Sequence, residues 1–145
     1  MRRMSNDGTI MTTTLAHPDL YRESGDHVVL LAARCAACRR IAFPRQRYGC
    51  EKCGSRAMTD VELPAAGTLA SFATVHLHQS KSIAAPFVVG EVKIDDGPTL
   101  RLTLVEPTDE GLRIGVRMEG ILFRSTSGPD PNVEHLELRF TREVV

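Results

Sequence analysis

The sequence predicts a mostly β protein in three parts: a short N-terminal helix, a four-cysteine ribbon organised by a metal ion, and a five-stranded barrel. Three observations carry this. All four cysteines of the 145-residue chain lie between Cys35 and Cys53, as two Cys-x2-Cys pairs with eleven residues between them. From Gly67 onward, short alternating apolar runs are separated by turn residues at near-regular intervals. Charge is segregated although Lys plus Arg and Asp plus Glu both number 18. Residues 31–60 hold seven basic and two acidic side chains, net +5, whereas residues 61–145 hold eight and twelve, net −4. The change of sign places a boundary near Asp60, dividing the chain into 1–14, 15–60 and 61–145.

Residues 1–14 are polar and lack periodicity, so they are expected to be disordered, with Met11 an alternative start. His17–Glu23 is expected as the short helix and Asp26–Arg34 as a strand leading into the cysteines. The longest apolar run, Val28 to Ala33, is six residues, far below the roughly 18 of a spanning helix. No apolar leader of about 7–15 residues follows Arg2 and Arg3, so the chain is expected to be cytoplasmic, with no membrane partner.

The ribbon follows from cysteine arithmetic. A disulfide framework needs an oxidising compartment, and a redox Cys-x-x-Cys needs only one pair. Two pairs at this spacing suit Zn2+, which takes four thiolates in a tetrahedron at about 2.3 Å. Cys35, Cys38, Cys50 and Cys53 are the expected ligands of one zinc per chain. With all four positions filled, no site is left for water, so the role is structural and no cysteine is free to be a nucleophile. Some 25–30 residues are too few for a self-sufficient core, and zinc binding supplies on the order of 10–16 kcal/mol in comparable peptides. Ile41, Phe43 and Tyr48 are expected to pack around the metal, and Gly54 suits the tight turn after Cys53.

The barrel elements come next. Thr68–Leu77 and Phe87–Ile94 are expected as strands, the second with Val88, Val92 and Ile94 on one face. Asp95-Asp96-Gly97 is a hairpin turn. Leu100, Leu102 and Leu104 alternate with Thr99, Arg101 and Thr103. Glu110–Gly115 reads as a single turn or loop. Val116–Arg124 and His135–Arg142 complete five strands, and the long first connection suits an OB-type Greek-key barrel. An SH3-like barrel or small sandwich is the alternative topology.

In this order, Cys35-Ala-Ala-Cys38, Phe43-Pro44, Cys50-Glu-Lys-Cys53-Gly54-Ser55, Gly67-Thr68, Pro86-Phe87, Asp96-Gly97 and Leu112-Arg-Ile-Gly115 resemble the zinc-ribbon/OB-fold family that accompanies thiolases and related acyl-CoA enzymes. The resemblance spans residues 17 to 124. One departure stands out: the family has Gly after its first cysteine pair, and this chain has Arg39. The resemblance implies a non-catalytic subunit that binds a thiolase-fold enzyme and lies near its CoA. Arg39, Arg40, Arg45, Arg47 and Lys52 are the candidate residues facing partner or CoA phosphate; a solvated basic face is the competing reading.

Other motifs carry less. His76, His78 and His135 lack a carboxylate at ligand spacing, and Ser71, Ser80 and Ser82 lack a nucleophile elbow. Asp95 and Asp96 are explained by the turn, and Gly111 and Gly115 by no phosphate loop. A nucleic-acid-binding ribbon/OB module is the alternative function. The −4 barrel and the absence of Trp argue against it, because single-strand binders combine a positive groove with stacking aromatics.

Overall fold

Eleven strands and no helix make up the described residues of the computed structural model, which are 2–4, 10–79, 83–125 and 129–144. In chain order they are β1 (Arg2–Met4), β2 (Ile10–Leu15), β3 (Tyr21–Ser24), β4 (His27–Cys35), β5 (Ile41–Ala42), β6 (Met58–Pro64), β7 (Ala66–Val75), β8 (Phe87–Ile94), β9 (Thr99–Thr103), β10 (Arg117–Ser125) and β11 (Val133–Arg142).

The expected helix over His17–Glu23 is absent. A single turn, closed by Leu20 N–H to the His17 carbonyl, leads into β3, which pairs antiparallel with β4 from Tyr21↔Leu30 to Ser24↔His27. Seven residues are too few for a helix to hold itself in water. The extended form instead buries the Tyr21 ring to 1% exposure and lets its hydroxyl donate to the Leu136 carbonyl at 2.7 Å. That burial raises the Tyr21 pKa. Gly25, at φ +64, opens the two-residue turn between β3 and β4, the residue type that such tight turns require at a positive φ.

Strands occur within the 1–14 stretch expected to be disordered, where β1 pairs antiparallel with β2 from Arg2↔Thr12 to Met4↔Ile10. Residues 10–15 form β2, which runs parallel to β11 from Val133↔Thr12 to Leu136↔Leu15. The Thr13 hydroxyl donates to Glu134 Oε2 at 3.0 Å. Glu134 is buried at 3% exposure because β2 covers that edge, and polar partners are what make such burial tolerable.

β4 is the spine of the ribbon sheet. It pairs with β6 from Val29↔Pro64 to Cys35↔Met58, and with β3 and β5. β6 has no counterpart among the expected strands, since the charge boundary at Asp60 falls in its middle. Its inward residues are Val61 and Leu63, and Pro64 ends it.

All five expected barrel strands are present as β7 to β11. β7 pairs with β8 and β10, β8 with β9, and β10 with β11. Leu104 bridges in parallel to Phe140, and Val105 N–H donates to the Phe140 carbonyl, closing the circuit β7-β8-β9-β11-β10. That is OB connectivity. The sheet as a whole has seven strands where five were expected, because β2 and then β1 continue it beyond β11. A bulge after Leu69 bends β7 between its two neighbours. The Asp95-Asp96-Gly97 turn is present, but the left-handed residue is Asp96 (φ +56); Gly97 is needed for space, since a Cβ there would meet Leu63 at 2.9 Å. Leu112 plugs the core from the 110–115 loop, and Gly115 (φ +95) makes the turn into β10.

One apolar core serves both sheets. Val28, Leu30, Ala32 and Leu63 from the ribbon sheet share it with Leu69, Val88, Val92, Ile94, Leu104, Met118 and Phe140 from the barrel. The ribbon sheet is therefore anchored by burial, which leaves the two cysteine turns between β4 and β6 as the part that depends on the cysteines.

Candidate metal centre and basic cleft

Two matching turns build the centre. β4 ends at Cys35 and the first turn runs Cys35-Ala36-Ala37-Cys38; Arg39 N–H donates to the Cys35 carbonyl at 2.8 Å. The second runs Cys50-Glu51-Lys52-Cys53, and Gly54 N–H donates to the Cys50 carbonyl, also at 2.8 Å. The register Cys35↔Met58 returns the chain beside its point of departure. In both turns the residue after the second cysteine is left-handed: Arg39 at φ +66 and Gly54 at φ +79. The arginine that departs from the family pattern thus adopts the glycine conformation and carries its steric cost.

The four sulfur atoms lie within 4.8 Å of one another. Cys35 Sγ and Cys53 Sγ are 3.5 Å apart, and Cys38 Sγ and Cys50 Sγ 3.4 Å. These separations exceed the roughly 2.05 Å of a disulfide, and all four cysteines are free thiols. They suit sulfurs sharing one ion at about 2.3 Å each, so the donor set fits Zn2+. Cys38 N–H points at Cys35 Sγ and Lys52 N–H at Cys50 Sγ, both at 3.4 Å. The Cys38 N–H, joined by that of Ala37, pulls the Cys35 thiol down to about 6 against the opposing effect of burial. Cys50 is lowered too, first by the Cys53 N–H and then by that of Lys52. Cys53 goes the other way: the Ser55 N–H lowers it, but the three neighbouring cysteines and burial outweigh this and push it up to about 11. Four thiolates this close repel, and a divalent cation is what lets them all ionise.

Ile41 and Phe43 pack against the common core. Tyr48, expected beside them, is corrected outright: it is 94% exposed. The Gln46 side chain holds it there, accepting from Tyr48 N–H at 3.1 Å and donating to the Gly49 carbonyl, so the 46–49 turn closes on itself and leaves the ring outside.

The five basic candidates separate. Arg39 and Lys52 sit on the two metal turns, and Arg40 Nη2 bridges them to Glu51 at 3.7 Å. Arg45 leans on the body of the protein, with Nη1 3.2 Å from Asp60 Oδ2 and Nη2 donating to the Asp19 carbonyl at 3.4 Å. Arg45 and Arg47 line a cleft together with Arg56, which no sequence motif marks. Its signal was the charge of residues 31–60, but only the β6 register brings it back beside Arg47. Of the other motifs, His78 stacks edge-on against Phe87, Asp95 pairs with Arg117 at 2.6 Å, and Ser80 and Ser82 lie outside the described residues.

Two family models match adjacent stretches of this chain. Residues 22–59 match the rubredoxin-like zinc ribbon domain of ChsH2, and residues 60–124 its C-terminal OB-fold domain. A DUF35 domain-containing scaffold protein of Methanocaldococcus jannaschii is 23% identical over 115 residues, 78% of this chain and 81% of that protein. Among solved structures, one described as "Ltp2-ChsH2(DUF35) aldolase" shows 26% identity and a TM-score of 0.59, covering 76% of this chain and 83% of that one. A DUF35-family protein of unknown function from Sulfolobus solfataricus shows 17% identity and a TM-score of 0.48, with 74% of each chain covered. With ribbon and barrel matched without a gap from 22 to 124, the chain belongs to the DUF35 family, in its ChsH2-type zinc-ribbon/OB-fold form.

Proposed function

We propose that this protein is a non-catalytic cytoplasmic subunit that binds and supports a thiolase-fold acyl-CoA enzyme, lying near that enzyme's CoA. The observation that carries the reading is the 26% identity and TM-score of 0.59 to a chain whose description joins ChsH2(DUF35) to an aldolase, Ltp2. The scaffold description of the Methanocaldococcus relative agrees with it. In this reading one structural Zn2+ on Cys35, Cys38, Cys50 and Cys53 holds the ribbon in shape and takes no part in turnover. Arg39, Arg40, Arg45, Arg47 and Lys52 face the partner or the phosphates of its CoA. Tyr48 joins them, because an exposed Tyr beside Arg47 on a hydrogen-bonded turn has the make-up of an interface anchor.

Co-expression with a thiolase-like enzyme from the same genome tests this. A stable complex whose partner loses activity when this chain is withdrawn supports the reading. A partner that is fully active alone and never co-purifies overturns it. Exposed ion pairs contribute only about 0–1 kcal/mol each, so the double substitution Arg45→Glu, Arg47→Glu is the informative variant. Weaker assembly that also falls with salt assigns the arm to protein docking, whereas intact assembly with poorer CoA affinity assigns it to the nucleotide.

A further inference from the structure

We infer that the open seam of the barrel, between β9 and β11, is a binding site for a small, uncharged, largely apolar molecule with a hydrogen-bonding head such as a hydroxyl. The two strands meet where Leu104 bridges to Phe140 and Val105 N–H donates to the Phe140 carbonyl. Among the described residues no ladder joins Thr99–Thr103 to the stretch from Glu137 to Arg139. A cavity of about 480 Å3 opens there instead, within the range of small-ligand sites. Leu20, Phe43, Pro44, Leu100, Leu102 and Leu138 form its walls, and Ile83 joins them from the loop between β7 and β8. All but Pro44 and Ile83 pack against the core yet are only partly buried. The cavity thus keeps large apolar side chains in contact with water, a cost that an apolar occupant removes.

Two features define the ligand, and the first is main chain. Leu104 N–H donates to the Val88 carbonyl, so Leu102 and Leu100, at the same alternation, also address β8. Thr99, Arg101 and Thr103 therefore turn their N–H and C=O groups toward the seam. Main-chain donors and acceptors beside an apolar cavity favour an occupant with a polar head that can meet them. The second feature is charge. Arg101 lies 2.8 Å from Glu91 and Arg139 3.2 Å from Glu137, and the Arg139 guanidinium also sits 3.8 Å over the Phe123 ring. His17, exposed, sets its ring edge-on to Tyr21. With both arginines of the seam already matched to carboxylates, an ionised ligand would lose its hydration without gaining a counter-charge. The seam is in this respect the opposite of the basic ribbon arm. The inference is independent of the proposed function, since neither the partner enzyme nor CoA enters it.

The test titrates the full chain with 1-octanol, octanoate and octylammonium, which share one chain and differ in the charge of the head, and follows the backbone amides by NMR. Octanol is expected to bind saturably, with amide shifts concentrated at residues 99–103 and 137–139. Both ions should bind at least about tenfold more weakly, because the site offers their heads no partner. Leu102→Gln should weaken octanol by about tenfold or more, since it replaces apolar wall with an amide. If that variant misfolds, Ile83→Asp, on the loop between β7 and β8, should produce the same loss. Leu77→Asp, 92% exposed and outside the cavity, should change the affinity by no more than about twofold, as surface substitutions do. Equal affinity for the three heads, shifts scattered away from the seam, or an equal loss in Leu77→Asp and Ile83→Asp overturns the site. Shifts at the seam amides that grow with protein concentration in the absence of any probe place a second copy of the chain there, and overturn it as well.

Discussion

Arg39 and Gly54 hold the same backbone position in the two cysteine turns, at φ +66 and +79, although only one of them is a glycine. A left-handed residue with a Cβ is strained by roughly 1–2 kcal/mol, and part of any relief is lost because glycine gains freedom in the unfolded chain. Arg39→Gly is therefore expected to stabilise the zinc-loaded protein by about 0.5–1 kcal/mol. Gly54→Ala, with nothing within 4 Å of its new Cβ, should destabilise by about 1 kcal/mol through the same backbone preference. Urea midpoints of the two variants, measured side by side, check both signs.

Removing the metal should loosen a segment, not the whole molecule. Metal analysis of the intact protein is expected to find one zinc per chain. After chelation, trypsin should cut rapidly at Arg45, Arg47 and Lys52, while the barrel and β4 remain protected by the core that they share. Cys38→Ser should mimic the chelated state. Full zinc retention in that variant would contradict a four-cysteine site.

Gly67 has no room for a side chain. A Cβ built there would stand 2.2 Å from the Lys93 carbonyl oxygen, a backbone atom that cannot swing away. Gly67→Ala is expected to cost about 1–3 kcal/mol, the range for overpacking, with the loss seen as a lower thermal midpoint and faster amide exchange along β7 and β8.

Asp95 ties the β8–β9 turn to the start of β10 through two bonds from Arg117, at 2.9 and 2.6 Å. The Arg117 hydrogen bond holds the Asp95 pKa below its usual 3.8. A depressed carboxylate pKa contributes stability above the unfolded value, and that contribution disappears as pH falls through the folded one. The pair is solvent-exposed, so the amount is below about 1 kcal/mol. Asp95→Asn should lower stability slightly at pH 7, and the difference from the native protein should vanish as the pH falls through the depressed folded-state pKa, below 3.8.

Tyr48 gives a clean separation of folding from binding. At 94% exposure, Tyr48→Ala should leave the unfolding midpoint within experimental scatter, because surface changes of this kind move stability by about 0.5 kcal/mol or less. Capture of the thiolase-like partner should nonetheless weaken by tenfold or more if the ring is an anchor, since such anchors are worth about 2 kcal/mol or above. Unchanged capture would return Tyr48 to plain solvent.

Sequence alone was sufficient wherever the cause is local. Cys35, Cys38, Cys50 and Cys53 declare their ligand geometry through spacing, because a Cys-x2-Cys turn sets two sulfurs side by side whatever surrounds it. The alternation of Val88, Val92 and Ile94, and of Leu100, Leu102 and Leu104, marks strands because a two-residue period admits one buried face. Tertiary structure decided the elements whose energy comes from distant partners. Residues 21–24 became a strand because the Tyr21 ring finds a core and its hydroxyl finds the Leu136 carbonyl, 115 residues away. β6 hid behind a charge boundary because its worth lies in seven register partners on β4, and β2 behind polar residues because β11 offers it an edge. The same register carries Arg56 back beside Arg47, so the basic cleft exists only once the chain has returned from the second pair of cysteines: charge can be counted along a sequence, but its concentration in one concavity is a property of the fold.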